Sequence, residues 1–151
     1  MRVGETELSD PQVSALLAAH QRDMHAVSPP GTSFALDLSG LSTPEISLFA
    51  AWAGEALMAV GALKRLGPAQ AEIKSMRTAP AYLARGAGRA VLEAIIDRAR
   101  RDGVARLSLE TGTSEHFAPA ISLYRRYGFE QGETFGGYAN GPHNQCYHLN
   151  L

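Results

Sequence analysis

Apolar residues along the chain fall into stretches of helical period and stretches of strand period. Val13, Leu16, Leu17 and Met24 lie on one helical face behind Ser9-Asp10-Pro11-Gln12, which predicts a first helix. Ser9 and Gln12 have capping-box spacing, and a proline in the first turn is tolerated. The helix must stop before Ser28-Pro29-Pro30-Gly31, and the stretch from Thr32 to Pro44 suits a short second helix or a turn. From Ile46 the period becomes that of strands. Ile46–Ala53 and Leu57–Leu63 flank Gly54-Glu55 as a hairpin, and a third strand follows at Ala71–Thr78.

Val91, Leu92, Ile95, Ile96 and Ala99 then line one face of a long helix, about Arg85–Asp102. Gly103 ends it. Leu107–Glu110 reads as a short buried strand, and Ala118–Tyr127 as an amphipathic helix stopped by Gly128. Strand-like pieces at Phe129–Thr134 and Gln145–Leu151 complete the pattern. The order predicts an α+β fold: a mixed, mostly antiparallel sheet of six to seven strands, about four helices and one strand–helix–strand crossover. The 151 residues form one expected domain, 1–151, with no repeat or linker.

Composition narrows the function. Lys+Arg is 14 against Asp+Glu 15, a net charge of -1, so nothing draws the chain to nucleic acid or an anionic membrane. Lys64 and Lys74 are the only lysines; the other basic residues are arginines, which suit forked contacts to phosphate and carboxylate. No apolar run is long enough to span a membrane, and the first ten residues lack the apolar core of a signal peptide. A single cysteine, Cys146, excludes an internal disulfide. The expected location is the cytoplasm.

The string Arg85-Gly86-Ala87-Gly88-Arg89-Ala90 sits between a strand and a helix start, where free N–H groups and the helix dipole favour an anion. Its glycines let a ligand approach the main chain. Val91 occupies the third glycine position of a dinucleotide fingerprint, and no Gly-Lys-Ser/Thr of a Walker loop follows. The string suits a pyrophosphate cradle of another kind.

Arg85–Ala90 resembles the [Q/R]-x-x-G-x-[G/A] signature of the GNAT acetyltransferase superfamily. Ala120–Phe129 resembles that superfamily's A-x-x-L-Y-x-x-x-G-F stretch, in the same order and at the same spacing. Glu72–Arg77 and Leu107–Gly112 look like a subgroup of small bacterial members. The resemblance implies a GNAT fold, acetyl-CoA as acyl donor with no metal, and a pyrophosphate held by Arg85, Gly86, Ala87, Gly88, Arg89 and Ala90. It also implies that the strand carrying Met76, Arg77 and Thr78 splays from its neighbour, its main chain holding the pantetheine arm. Phe117 stands where the family often has Asn, which passes that contact to Ser114 or the backbone.

By the same resemblance Tyr124 is the acid that protonates the departing thiolate. Glu72 and Glu110 are the candidate bases. Glu72 is the first choice, its alternative being an exposed strand carboxylate paired with Lys74 on the same side or with an arginine. Glu110 is the choice for holding the substrate ammonium. His20 is expected to be partly buried and hydrogen-bonded. His25 is expected in a loop lining the acceptor pocket, and Phe135-Gly136-Gly137-Tyr138 in a loop closing over that pocket. None of the histidines has ligand spacing, so no metal site is expected. The implied activity is acetyl transfer from acetyl-CoA to the primary amine of a small molecule or amino acid derivative, by direct attack in a ternary complex. A non-catalytic acyl-CoA-binding module and a protein N-terminal or lysine acetyltransferase are the alternatives, and a homodimer is compatible with the family.

Overall fold

The hairpin expected about Gly54-Glu55 forms the heart of the sheet. A computed structural model of the protein describes residues 1–27 and 38–151. Strands β2 (Ile46–Ala53) and β3 (Ala56–Arg65) pair antiparallel, with Gly54 at φ +58° in the turn. On one side of them lie β4 (Gln70–Thr78), β5 (Arg106–Gly112), β7 (Asn144–Asn150) and β6 (Glu130–Gly132); on the other lies β1 (Arg2–Thr6). The sheet order is β1-β2-β3-β4-β5-β7-β6, and only β4 and β5 run parallel. The mixed, mostly antiparallel α+β architecture is the expected one.

Three α-helices cover the sheet among the described residues: α1 (Pro11–Val27), α2 (Ala87–Arg101) and α3 (Ala118–Arg126). About four were expected. The stretch 28–37, part of the expected second helix or turn, lies outside the described residues, and Ser39–Ser42 form one 3-10 turn. Helix α1 buries Val13 and Leu17 against Leu48, Ala50, Val60 and Ala62 on one face of the sheet. On the other face α2 buries the expected Val91, Leu92, Ile95, Ile96 and Ala99, joined by Tyr124 and Phe129 from the α3 end. Gly103 at φ +79° and Gly128 at φ +96° stop the two helices as expected.

Two local expectations are corrected. Asp10, not Ser9, caps α1: its carboxylate accepts from the N–H groups of Gln12 (2.9 Å) and Val13 (3.2 Å). Gln12 instead reaches the hairpin, donating to the Glu55 carbonyl (2.8 Å) and accepting from the Leu57 N–H (3.0 Å). Strand β1 was not expected at all. It is an edge strand with mostly exposed side chains, so it lacks the alternating apolar signal.

Candidate active site

The start of α2 leaves main-chain N–H groups open. Gly86 is its N-cap at φ +82°, a conformation that favours glycine. The N–H groups of Ala87, Gly88 and Arg89 have no carbonyl a turn earlier to bond within the helix. The Ala90 N–H already donates to the Gly86 carbonyl (3.0 Å), so it belongs to the helix and not to the open donor set. A Cβ on Gly88 would stand 3.1 Å from Thr78 Oγ1, so the helix start and the end of β4 touch through the missing side chain. Arg85 lies over the Tyr82 ring (5.7 Å), and Arg89 pairs with Glu93 (3.3 Å) on the exposed side of α2.

Beside this cradle the sheet opens. Strands β4 and β5 pair only from Gln70↔Arg106 to Ile73↔Leu109. Beyond that point the two strands continue unpaired with each other, β4 through Met76, Arg77 and Thr78 and β5 through Glu110 to Gly112. A bulge accompanies the split: the β3–β4 register shifts between Val60 and Ala62, and Ser75 sits at φ +56°. Gly61 lies opposite the bulge, and a Cβ there would be 2.9 Å from Val91 Cγ1 and 3.0 Å from Ile95 Cδ1. The missing side chain lets α2 press onto the sheet where the strands part.

Glu72 and Lys74 share the α1 face of the sheet, one pleat apart. Both are buried, and they form an ion pair at 3.1 Å. Tyr138, from the expected Gly-aromatic loop, donates its hydroxyl proton to Glu72 (2.6 Å) and accepts from Lys74, whose ammonium also lies 5.1 Å from the Tyr138 ring centroid. The loop thus closes over this side, as the Phe135–Tyr138 string suggests. Glu110 has different company. Its carboxyl has no hydrogen bond or ion pair among the described residues, and the residue faces Cys146 across the β5–β7 pairing. Burial pushes its carboxyl up to about 7 from the ordinary 4.5; Lys74 opposes the rise and Glu72 adds to it.

One cleft of about 810 Å³ runs from the α2 start past the split strands to this face. It brings together Gly86–Arg89, Met76–Thr78, Tyr124, Glu110, Glu72 and Tyr138. Tyr124 is buried, packs edge-on against Phe129 (5.7 Å), and its hydroxyl makes no hydrogen bond among the described residues. Burial raises its pKa, so it carries its proton at neutral pH.

Not every expected residue joins the cleft. Ser114 lines a separate hollow of about 650 Å³ with Ala118, Ser122 and Arg125. Phe117 does line the cleft, its ring lying where a side chain on Gly112 would be. The Arg77 guanidinium is tied to Asp23 of α1, so its side chain fastens that helix to β4. His25 sits in the last turn of α1, exposed and away from the cleft, because the helix runs on to Val27. His20 lines the cleft, but its buried Nδ1 has no partner, against the expected hydrogen bond; burial and Arg77 hold its pKa down at about 4. Among the described residues no three of His, Cys, Asp and Glu group as a metal site requires. Tyr138 is the addition that residue pattern alone did not assign to Glu72, its signal being its loop. The pairing of Glu72 with Lys74 was readable from their two-residue spacing on one strand.

Residues 13–129 match the model of the acetyltransferase (GNAT) family. The chain belongs to that family. It is 41% identical over 144 residues to the uncharacterized N-acetyltransferase YsnE of Bacillus subtilis, covering 95% of both chains. It is 42% identical over 145 residues to the uncharacterized N-acetyltransferase YedL of Escherichia coli, covering 96% of this chain and 91% of the relative. A GNAT acetyltransferase from Elizabethkingia anophelis, with acetyl-CoA bound, has the same fold at a TM-score of 0.73 and 16% identity, covering 99% of this chain and 97% of that one. This GNAT protein is an N-acetyltransferase.

Proposed function

We propose that the protein transfers the acetyl group of acetyl-CoA to the primary amine of a small molecule by direct attack, with no covalent enzyme intermediate. The observation that carries this reading is the single cleft joining the α2 start, the split between β4 and β5, a free phenol and an unpaired carboxyl. The cradle fits a pyrophosphate: Ala87, Gly88 and Arg89 offer main-chain donors, Arg85 and Arg89 add charge, and Gly88 removes the side chain that would crowd the approach. The unpaired stretch Met76–Thr78 offers main-chain groups to an extended pantetheine arm. Bound acetyl-CoA supplies an activated acyl group as a thioester.

The residues around that position divide the proton work. The acceptor arrives mostly as an ammonium, because an alkylamine has a pKa near 10. The geometry favours Glu110, the second of the two candidate bases, over Glu72, which becomes part of the wall. Glu72 is committed to Lys74 and Tyr138, whereas Glu110 is uncommitted and poised near neutrality. Glu110 takes the amine proton, the nitrogen forms the new bond to the acetyl carbon, and the carbon–sulfur bond breaks. Tyr124 gives its proton to the departing sulfur. Cys146 is fully buried in β7, and burial raises its thiol pKa, so it is placed as neither nucleophile nor disulfide partner. A free buried thiol also suits the cytoplasm, where we place the enzyme.

The test is release of free CoA thiol from acetyl-CoA with a panel of primary amines. Amine-dependent release that falls in Tyr124→Phe and Glu110→Gln supports the reading. Acetyl-CoA binding without release for any amine of the panel would overturn the small-amine reading.

A further inference from the structure

Resting on the reading above, we infer that the acceptor is a primary amine with no carboxylate beside its nitrogen: an amino acid amide or a simple amine, and not a free amino acid. The argument is one of charge supply. An α-carboxylate stands two bonds from the amine nitrogen, so wherever Glu110 meets the nitrogen the carboxylate must find a cation close by. The charges near enough to act on Glu110 among the described residues are Lys74 and Glu72, one cation and one anion.

Lys74 is already saturated. Its side chain is 7% exposed, its ammonium pairs with Glu72 at 3.1 Å, it donates to the Tyr138 hydroxyl, and the Tyr138 ring faces it at 5.1 Å. The other cation that lines the cleft on the α1 side, Arg77, is tied to Asp23, and Lys64, across from Glu72 on the same face, does not line the cleft. Arg89 and Arg126 line the cleft from α2 and α3, on the opposite face of the sheet, which is the donor side. His20 is held neutral. Residues 28–37 contain no lysine, arginine or histidine, so they bring no cation to any part of the fold. A free amino acid would therefore set its carboxylate against Glu110 and Glu72, and Lys74, the one cation that acts on Glu110 among the described residues, is already paired. His116 lines the cleft but does not act on Glu110. Burying an uncompensated charge is among the costliest arrangements a site can hold.

The measurement is CoA release by the full-length enzyme with matched sets, each built on one side chain. A set comprises the free amino acid, its amide and its decarboxylated amine; alanine, leucine, methionine and phenylalanine supply the side chains. The decarboxylated amine is more basic than the amino acid, so the supply of free amine works against it and cannot produce the expected preference. Both carboxylate-free members are expected to exceed the amino acid in kcat/KM by about 100-fold. Glu72→Gln removes the partner of Lys74 and leaves an ammonium for a substrate carboxylate. In that variant the ratio is expected to shrink at least about tenfold, whatever the absolute rate. A wild-type ratio below about tenfold for the decarboxylated amine overturns the inference while leaving amine acetylation intact. That holds whatever the amide does, because the amide's less basic nitrogen supplies more free amine by itself. If no member of any set releases CoA although acetyl-CoA binds, the small-amine reading falls and this inference falls with it.

Discussion

Glu110 faces Cys146 across the β5–β7 pairing, and its carboxyl is pushed up to about 7 by a burial that no hydrogen bond offsets among the described residues. Both activity and stability should register this. In kcat/KM, a rising limb centred near pH 7 is expected as Glu110 loses its proton, and Glu110→Gln should abolish that limb and cut turnover by about 10²–10⁴-fold. The stability effect has the opposite sense. A carboxyl whose pKa is raised by folding contributes fully below its ordinary 4.5, and the contribution is lost as pH rises through about 7. Melting temperatures of wild type and Glu110→Gln should therefore diverge in favour of the variant across that window, then stay parallel. Parallel curves throughout would remove the burial argument.

Tyr124→Phe should lower kcat and spare the affinity for acetyl-CoA. The hydroxyl has no partner in the fold to lose, so the variant should melt within about 1 kcal/mol of wild type. The loss belongs to the step in which charge develops on sulfur. Unchanged kcat on a turning-over amine would clear Tyr124 of any proton transfer.

Gly88→Leu tests the cradle. A Cβ at this position already meets Thr78 Oγ1 at 3.1 Å, and the rest of a leucine must crowd the α2 start or the end of β4. Acetyl-CoA affinity measured by calorimetry should fall below detection while circular dichroism remains that of the folded protein. Binding at wild-type affinity would place the pyrophosphate elsewhere.

Tyr138→Phe keeps the ring over Lys74 and removes the hydroxyl bridging Lys74 and Glu72. Two buried charged groups each lose a partner, so a destabilisation of about 1–3 kcal/mol is expected in chemical denaturation. A neutral result would mean that the loop is held closed by Phe135, which packs on both Tyr138 (5.1 Å) and His148 (5.7 Å).

The parts of the fold that were legible in the residues are those whose burial follows a period. The five apolar residues of α2 and the hairpin about Gly54 were readable because 3.6-residue and two-residue spacing survive any detail of packing. Strand β1 escaped because edge pairing uses the backbone and leaves no mark on the side chains. The cap of α1 was misread because Ser9 and Asp10 are both good caps, and only the path of the chain decides whether the hydroxyl or the carboxylate reaches Val13. In the site, Gly86 and Gly88 were visible through their local string. The bond from Tyr138 to Glu72 was not, since Tyr138 lies 66 residues away and only the folded loop brings its hydroxyl to the sheet. What separates the two glutamates is their neighbours, and neighbours are a property of the fold.

The parallel pairing that stops at Ile73↔Leu109 makes the sheet incomplete by design of its own backbone. On the inner edges beyond that point, peptide groups that would normally hold a neighbouring strand can bond only water until an extended guest lies between them. Such a guest would stand in for a missing strand, so its binding free energy would add to the free energy of folding. The resistance of this protein to heat, proteolysis and exchange should then rise with the concentration of acetyl-CoA around it.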